Sequence, residues 1–362
     1  MMLWLLGLAT AAFTLWVLWL LTDGVRAALA RRAVEARKRA AREPLHLVVT
    51  ARQDATPDLF QLTLARCDGR RLPRFRAGQY LTLRTPVGVR RYSLAAWTAR
   101  PHEYRLGIRR VEGGKVSSWL HEHARPGVNI EALPPAGDFI LACHAGEVVL
   151  VAGGIGITPL AAMVDAWLAK PRGRLWLFHA ARHEAELADH ARYTELERRQ
   201  PGFHYRPVLS RPAETWSGGR GRLNAADLIR ELADPAAAHY YLCARLEMMD
   251  ALSAGLAALG VPDAAIHHES FGGADNSDTN EYRVEVIGHG AHVFRGEPSL
   301  LHALEGWGVP VQADCRAGEC GACGINVVHG AVRACQVAQI PAPPGRTLAC
   351  CAVPASDLRI SL

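Results

Sequence analysis

Most of this 362-residue sequence has little excess of charge of either sign. The formal net charge is +6, and residues 23–43 supply +4 of it, from seven Arg and Lys side chains against three acidic ones. The +2 that remains for the rest of the chain is too small to indicate a surface that binds nucleic acid. No internal repeat stands out, and the length allows two or three domains.

The first 22 residues contain no charged side chain. An apolar segment of about 20 residues spans the hydrocarbon core of a bilayer, whereas a cleaved signal peptide would have a basic start and a shorter apolar run. We therefore predict a transmembrane helix over residues 1–22 and a basic juxtamembrane helix over 23–43. A buried helix at 1–22 and a solvated spacer at 23–43 are the alternatives. Because the basic residues follow the apolar segment, we expect a single-pass protein of the inner (cell) membrane with its catalytic body in the cytoplasm.

Only nine cysteines are present, and three of them, Cys315, Cys320 and Cys323, lie at C-x4-C-x2-C spacing. Such a loop supplies three of the four thiolate ligands of a [2Fe–2S] cluster, and the glycines between the cysteines let the backbone wrap closely. The sequence lacks a good second C-x2-C pair for a structural zinc site, and disulfide frameworks belong to short secreted domains. The candidates for the fourth ligand are Cys335, Cys350 and Cys351.

The cysteine loop resembles that of the plant-type ferredoxins, and residues 282–362 as a whole are similar to the β-grasp layout of that family. In plant-type ferredoxins the last ligand comes well after the loop, at the end of a returning strand. The resemblance therefore implies Cys350 as the fourth ligand. We expect an electron acceptor to dock at the exposed edge of the loop, near Arg316, Ala317 and Glu319.

Residues 44–142 contain short strand-like segments separated by Gly and Pro, a pattern that predicts a small antiparallel β-barrel. Within it the segment RRYSL, which begins at Arg90, resembles the R-x-Y-S motif of the ferredoxin-NADP reductase superfamily. The resemblance implies that Arg90 pairs with a flavin phosphate, that Tyr92 covers the flavin and that the Ser93 hydroxyl reaches N5, where hydride arrives. Leu94 completes the predicted flavin-binding segment.

A second segment of this module resembles the G-G-x-x-S-x-x-L turn of the same superfamily, in which glycines precede a helix whose amides hold a phosphate. The residues are Gly113, Gly114, Lys115, Val116 and Ser117. Residues 134–139 then resemble the closing turn of the flavin domain, and they lack the asparagine typical of the FMN branch. The implied cofactor is FAD, with FMN as the alternative.

Residues 143–272 alternate strand-like and helix-like segments, which predicts a parallel sheet with right-handed crossovers. A buried strand at 148–152 precedes a glycine turn and an apolar helix, the context in which a glycine motif becomes a candidate nucleotide site. The form G-G-x-G-I-T-P resembles the NAD(P) motif of the same superfamily. Its predicted cofactor-binding residues are Gly153, Gly154, Gly156, Thr158 and Pro159.

Two further features of this module concern the nucleotide. Arg182 and Arg211, with Ser210, lie where the superfamily contacts the adenosine ribose. The two arginines suit a 2′-phosphate but also occur with NADH, so NADH and NADPH both stay open. Cys243 and Met248 match the C-G-P-x-x-M loop beside the nicotinamide, but the Gly-Pro pair is absent. Cys243 is therefore either close to the path of the hydride or a packed thiol at the end of a strand.

Residues 273–281 are polar and rich in turn-forming residues, and they form a linker. The predicted fold class is thus multidomain: an antiparallel β-barrel flavin domain, an α/β NAD(P) domain with a parallel sheet, a β-grasp ferredoxin domain and one N-terminal transmembrane helix. The order of modules is similar to that of oxygenase reductases with a C-terminal ferredoxin domain, the reductase components of phenylacetyl-CoA oxygenase and glycine-betaine demethylase among them.

The resemblance implies a reductase that passes electrons from NAD(P)H through flavin and [2Fe–2S] cluster to an oxygenase, hydroxylase or desaturase, with a membrane-bound partner favoured by the predicted anchor. Ser93, Tyr92 and Cys243 are the residues expected to hold the nicotinamide against the flavin. A reductase of a soluble partner, either a Rieske oxygenase or a hybrid-cluster protein, is one alternative. A redox sensor without reductase turnover is the other.

Overall fold

The computed structural model describes residues 43–111, 114–142, 144, 146–269, 281–313, 316, 318, 320–335, 338, 340–342 and 345–362. The predicted transmembrane helix at 1–22 lies outside these residues, and so do all but the last residue of the predicted juxtamembrane helix at 23–43 and of the linker at 273–281. Among the residues that the structure describes, no helix has the length and apolar character needed to cross a membrane.

The first module is a six-stranded antiparallel sheet that closes on itself. Leu94, just after β4, bridges to Leu106 of β5, so the two edge strands meet. Apolar side chains from all six strands fill the interior, and Val116 and Leu120 of helix α1 pack against them. The antiparallel sheet predicted for this module is confirmed. Its elements are β1 (Leu45–Asp54), β2 (Leu59–Arg66), β3 (Tyr80–Thr85), β4 (Gly88–Ser93), β5 (Glu103–Arg109), α1 (Lys115–His123) and β6 (Asn129–Ala136), and the strand order is β4-β3-β6-β1-β2-β5.

The second module is a parallel sheet, as predicted; it has six strands and carries helices on both faces. Its elements are β7 (Glu147–Gly153), α2 (Ile157–Ala169), β8 (Arg174–Ala181), α3 (His190–Arg199), β9 (Phe203–Leu209), β10 (Gly219–Arg220), α4 (Ala225–Ile229), β11 (His239–Cys243), α5 (Leu246–Ala258) and β12 (Ile266–Glu269). The strand order is β10-β9-β8-β7-β11-β12. The winding therefore reverses between β7 and β11, and the crevice at the carboxyl ends of these two strands is where such sheets bind ligands.

The first two modules share one buried core. Leu59, Ala77 and Phe139 of the barrel belong to the same apolar cluster as the side chains of α2 and β7. The backbone N–H of Trp97 also donates a hydrogen bond to Asp165 Oδ2 of α2 at 3.0 Å. A continuous apolar contact of this kind holds the barrel firmly against the parallel sheet.

The third module is a mixed sheet crossed by one helix. Its elements are β13 (Tyr282–Val286), β14 (Gly290–Phe294), α6 (Leu300–Gly306), β15 (Gly324–His329), β16 (Val332–Ala334), β17 (Thr347–Leu348), β18 (Ala352–Pro354) and β19 (Leu358–Ser361). Five strands pair in the order β14-β13-β19-β15-β17, and β16 pairs with β18. The Ser299 hydroxyl caps α6 by accepting a hydrogen bond from His302 N at 3.2 Å, and Leu300, Leu301 and Leu304 are buried against the sheet.

Candidate active site and cluster centre

Strand β4 carries the predicted flavin-binding residues along the barrel wall. Ser93 is 2% exposed, and its hydroxyl oxygen is buried without a hydrogen-bond partner among the described residues. Tyr92 packs against the barrel core, where burial raises the pKa of its phenol, and Leu94 is fully buried. A buried hydroxyl without a partner is destabilising unless a ligand completes it. The unpartnered Ser93 hydroxyl therefore fits the hydrogen bond that the predicted flavin would form with it.

The amino end of α1 lies next to β4 and is free of a side-chain cap. Gly114 occupies the N-cap position with an extended backbone. A Cβ at Gly114 would lie 2.7 Å from Ser117 Oγ, which accepts a hydrogen bond from Val111 N at 3.2 Å. Lys115 is exposed, and Val116 is buried against the barrel. Uncapped amides at a helix start are suited to a phosphate; the remaining residue of this predicted turn, Gly113, lies outside the described part of the chain.

Arg90 lies where the barrel meets the third module. Its side chain is exposed, but its surroundings lower its pKa, first by partial desolvation and then through the positive charge of Arg316. Glu305 of α6 acts in the opposite direction and forms an ion pair with Arg316, with a donor–acceptor distance of 2.6 Å. The residue expected to hold the flavin phosphate is thus close to the start of the cluster loop.

Two glycines of the turn after β7, Gly153 and Gly156, have no room for a side chain. A Cβ at Gly156 would lie 1.7 Å from the carbonyl oxygen of Cys243, and one at Gly153 would lie 2.7 Å from Ala244 Cβ. Gly154 has φ of +56°, in the left-handed region that favours glycine. The turn therefore presses its backbone against the end of β11 and opens the start of α2 towards the crevice, as the approach of a pyrophosphate requires.

Thr158, in the first turn of α2, joins the nucleotide site to the barrel. A Cβ at Gly107 of β5 would lie 2.1 Å from Thr158 Cγ2, so only glycine fits at this point of the barrel. The antiparallel bridge between Leu94 and Leu106 places Ser93 opposite Gly107. The predicted flavin site, at Ser93, therefore lies next to the predicted nucleotide site, at Thr158, and Gly107 lies between them.

Gly107 was missed by reasoning from the sequence, although a glycine inside an apolar strand can indicate a close approach of another chain segment. The two residues of the glycine motif that follow the turn, Thr158 and Pro159, are both buried in α2.

Cys243 ends β11 between Ala152 of β7 and Glu269 of β12. It is fully buried, and burial, followed by the negative charge of Glu269, raises the pKa of its thiol well above the ordinary value. The side chain is therefore a neutral, packed thiol. The backbone carbonyl oxygen of the same residue lies against Gly156 of the glycine turn. Cys243 is thus packed at the end of its strand, and its proximity to the path of the hydride stays a prediction.

The missing Gly-Pro pair after Cys243 does not prevent the loop from forming. Arg245 has φ of −66° at the N-cap of α5, a value that proline itself would adopt. Ala244 is not among the non-glycine residues with positive φ, which in the described part of the chain are Asp189 and Arg316. The loop thus keeps a conformation that ordinary residues tolerate.

The predicted ribose-binding residues lie together at the ends of β8 and β9. Arg211 N donates to the Arg182 carbonyl oxygen at 2.9 Å, and Ser210 N donates to that of Ala181 at 3.0 Å. The Arg182 guanidinium forms an ion pair with Glu186 at 3.1 Å. A carboxylate beside one of the two arginines weakens the positive charge available to a 2′-phosphate. NADH and NADPH both remain open.

In the third module, two of the predicted cluster ligands converge. Cys323 and Cys350 are buried, and the hydrogen bond between their thiols, followed by burial, raises the pKa of Cys323. Cys320 is exposed, and Cys315 lies outside the described residues. A donor set of facing cysteine sulfurs fits an iron–sulfur cluster and does not fit a hard cation.

The other two candidates for the fourth ligand are buried nearby. Cys351 Sγ lies 3.5 Å from Cys350 Sγ and 2.6 Å from where a Cβ of Gly318 would be. Cys335 Sγ instead approaches the Cys350 carbonyl oxygen, at 3.8 Å, inside the apolar core. The contact with Cys323 favours Cys350, which stays the predicted ligand.

Two family models match the chain: "Oxidoreductase NAD-binding domain" over residues 150–254 and "2Fe-2S iron-sulfur cluster binding domain" over residues 285–355. The phenoxybenzoate dioxygenase subunit beta of Ectopseudomonas oleovorans is 35% identical over 282 residues, which are 75% of this chain and 81% of the relative. The glycine betaine monooxygenase reductase subunit of Chromohalobacter salexigens is 26% identical over 320 residues, 79% and 87% of the two chains.

The solved structure of phthalate dioxygenase reductase, described as modular for electron transfer from pyridine nucleotides to [2Fe–2S], is also similar. It matches with a TM-score of 0.64 and 25% identity, over 88% of this chain and 98% of that one. The cofactors expected from the sequence, FAD, a [2Fe–2S] cluster and a nicotinamide nucleotide, are supported by these matches. The chain belongs to the family of NAD(P)H-dependent flavin and [2Fe–2S] reductases that includes the reductase components of oxygenases.

Proposed function

We propose that the chain oxidises NAD(P)H at the contact between barrel and parallel sheet and passes single electrons through its third module to an oxygenase, hydroxylase or desaturase. The expected site residues divide between the two sides of that contact. Tyr92 and Ser93 hold the flavin, and the glycine turn with Cys243 holds the nicotinamide. A bound flavin supplies the conversion of a two-electron hydride into single electrons.

One observation supports this proposal most strongly. Where the barrel meets the parallel sheet, Ser93 lies opposite Gly107 on the next strand, and Gly107 lies against Thr158 of α2. Hydride transfer needs its donor and acceptor atoms at roughly 3–3.5 Å. The absence of a side chain at Gly107 lets α2 approach the barrel closely enough for such contact. The hydroxyl of Ser93 is buried without a partner among the described residues, which supports its proposed role as a donor to the acceptor atom.

The protein side of the reaction is positioning rather than acid–base chemistry. The raised pKa of Cys243 keeps its thiol neutral, so it adds bulk and no charge beside the nicotinamide. Shared apolar packing around Phe139 and α2 keeps bulk water away from the contact. A hydride that passed directly from a bound nicotinamide to a bound flavin would require no proton transfer through a side chain.

An anaerobic stopped-flow experiment tests the reductase reaction. Mixing the protein, loaded with FAD and cluster, with NADH or NADPH should bleach the visible absorbance of the flavin and then reduce the cluster. Comparing the two nucleotides also decides which is the physiological donor. Failure of both nucleotides to bleach the flavin would support a redox sensor without turnover and would contradict the proposal.

We also propose that residues 1–43 hold the protein on the inner membrane with its catalytic body in the cytoplasm, and that the electron acceptor lies in the same membrane. The uncharged segment 1–22 followed by seven basic residues supports this idea. Deleting 1–43 should leave NAD(P)H oxidation with a small acceptor unchanged and should lower partner turnover in native membranes. Unchanged partner turnover would favour a soluble partner, such as a Rieske oxygenase or a hybrid-cluster protein.

A further inference from the structure

Three histidines meet at the amino end of the parallel sheet, at the opposite edge from the nucleotide crevice. His239 is the first residue of β11, His267 is the second residue of β12, and His144 lies three residues before β7. One ring nitrogen from each lies within 4.8 Å of the nitrogens of the other two. None of the three takes part in the binding of flavin, nicotinamide or cluster described above.

The face on which His267 lies is set by the strand. His268 points the other way, and its Nε2 lies 2.7 Å from Ser253 Oγ of α5. His267 instead stacks on the Tyr241 ring, with centroids 4.5 Å apart. The pairing of β11 with β12 therefore directs only one of these two adjacent histidines towards His239.

Two ring nitrogens of this cluster lack the partners that buried polar atoms usually have. His239 Nδ1 and His267 Nε2 are buried and form no hydrogen bond with the described residues. Burial, and then the charges of the two neighbouring histidines, lowers the pKa of His144 to about 4. Neutral imidazole is the form that ligates metal ions, and an unpaired buried nitrogen is destabilising unless something binds it.

Tyr241 orients the third ring. Its Oη accepts a hydrogen bond from Ala142 N at 3.1 Å and lies 2.9 Å from His144 Nε2. When His144 donates its Nε2–H to this oxygen, Nδ1 keeps its lone pair for a ligand. Metal-binding histidines are commonly held by such a contact from the second ring nitrogen.

We propose that His144, His239 and His267 form a binding site for a late first-row divalent cation, with Zn²⁺ as the ion that fits best. The donors are imidazoles without a carboxylate, which excludes Mg²⁺ and Ca²⁺ as the preferred ions. In a tetrahedral zinc site the ligand nitrogens lie roughly 3.4 Å apart. The cluster must therefore contract, and because the His144 and His239 rings are stacked 3.5 Å apart, one of them must rotate for the lone pairs to converge.

The position of this site indicates what the ion would do. His144 belongs to the segment that leads from the barrel into β7, whereas His239 and His267 belong to the sheet itself. A bound ion would tie that connecting segment to the edge of the sheet, close to the Phe139–Tyr241 contact, where the ring centroids are 5.8 Å apart. The ion would thus stabilise the mutual orientation of the two modules rather than take part in electron transfer.

Zinc binding is tested with the full chain carrying its flavin and the two iron atoms of its cluster, so that no cluster cysteine is vacant. The protein is stripped with a mild chelator, incubated with ZnCl₂ in the presence of excess Mg²⁺, passed through a desalting column and analysed for zinc and iron by mass spectrometry. We expect one zinc per chain and a higher melting temperature with zinc than without it. Binding of no zinc by a protein with full iron content would overturn the proposal.

Matched variants assign the zinc to these residues. His239→Gln and His267→Gln should lose the zinc and its effect on the melting temperature, while His268→Gln, on the same strand but the opposite face, should keep both. Tyr241→Phe should keep the zinc with roughly 10- to 100-fold weaker affinity. Each variant is checked for flavin content, which a misfolded protein would lose. Equal loss of zinc in His268→Gln, or retention in both ligand variants, would contradict the assignment.

Discussion

The two contacts that the flavin site makes with the rest of the molecule differ in kind. Towards the nucleotide the contact is apolar and tight, with Gly107 and Thr158 in van der Waals contact and one shared core. Towards the cluster it is polar, with Arg90 exposed near the Arg316–Glu305 ion pair. Hydride transfer requires contact between two atoms, whereas a single electron can cross a gap. The tight apolar contact therefore suits hydride transfer, and the looser polar contact suits the transfer of a single electron.

The largest expected effect comes from removing the [2Fe–2S] cluster, which receives the electron at the second, polar contact. Cys350→Ser should abolish the visible and electron paramagnetic resonance signals of the cluster and stop electron delivery to a one-electron acceptor, because a thiolate ligand is lost. Flavin bleaching by NAD(P)H should persist, since the hydride contact is untouched. Cys335→Ser serves as the control and should keep the cluster. If Cys351→Ser loses the cluster while Cys350→Ser keeps it, the fourth ligand is Cys351 and not Cys350.

Filling the space at the first contact should have the next largest effect. In Gly107→Ala the new Cβ would overlap Thr158 Cγ2, which pushes α2 away from the barrel. Because a misplacement of about 1 Å can slow a reaction by on the order of 100-fold, we expect a loss of that size in the rate of flavin bleaching at saturating nucleotide.

Two further variants sharpen this prediction. Thr158→Ser lacks the offending methyl group, so the pair Gly107→Ala with Thr158→Ser should recover much of the rate. Gly306→Ala, where a Cβ meets nothing within 4 Å, should have no effect. If Gly107→Ala bleaches as fast as the parent protein, the close approach of α2 to the barrel is not needed for hydride transfer.

Removing the Ser93 hydroxyl should have a smaller effect on the same contact. One hydrogen bond contributes about 0.5–1.5 kcal/mol, so Ser93→Ala should slow hydride transfer by up to about tenfold. The measurement is the rate of flavin bleaching at saturating nucleotide, with flavin content determined in parallel. A Ser93→Ala protein with a full complement of flavin and an unchanged rate would show that the hydroxyl does not contact the reacting centre.

At the polar contact we expect only a change of a few fold. Glu305→Gln leaves the positive charges of Arg316 and Arg90 facing each other, which weakens the approach of the two modules and slows the step from flavin to cluster. Added salt screens this repulsion. The difference between variant and parent should therefore shrink at high ionic strength, and a difference that grows with salt would contradict the explanation.

The raised pKa of Cys243 should be detectable in the pH dependence of stability. Its thiol has a raised pKa in the folded protein, so the thiol is protonated there while the unfolded chain ionises above about pH 8.5. The stabilisation from keeping this thiol neutral is fully present below that pH and is lost as the pH rises further. The free energy of unfolding of Cys243→Ala should depend less on pH between 8 and 10 than that of the parent, while hydride transfer in the parent stays flat from pH 7 to 9.

Much of the architecture could be predicted because its signals are local. The glycine turn after β7, the cap at Ser299 and the cysteine loop each lie within a few residues of sequence, and so does the segment around Ser93. The position of Cys243 was predicted in the same way, but its neutral, buried state depends on Glu269 of another strand.

What could not be predicted depends on contacts between distant segments. The fit of Gly107 to Thr158 joins the barrel to α2, and the proximity of Arg90 to Arg316 joins the first module to the third. The histidine cluster draws one member from each of two strands and one from the segment before β7, and in the sequence only the pair His267-His268 was visible. Adjacent histidines on a strand face opposite sides, so that pair alone did not indicate a metal site.

The difference between the two contacts is tested most directly by measuring both electron-transfer steps in the parent protein and in Glu305→Gln at several salt concentrations. Nucleotide-driven flavin bleaching reports the first step, and cluster reduction after photoreduction of the flavin, without nucleotide, reports the second. We predict equal bleaching rates in the two proteins at every salt concentration, and a slower second step in Glu305→Gln that approaches the parent rate as salt is added. A variant that slows bleaching, or leaves the second step unchanged at low salt, would contradict the account.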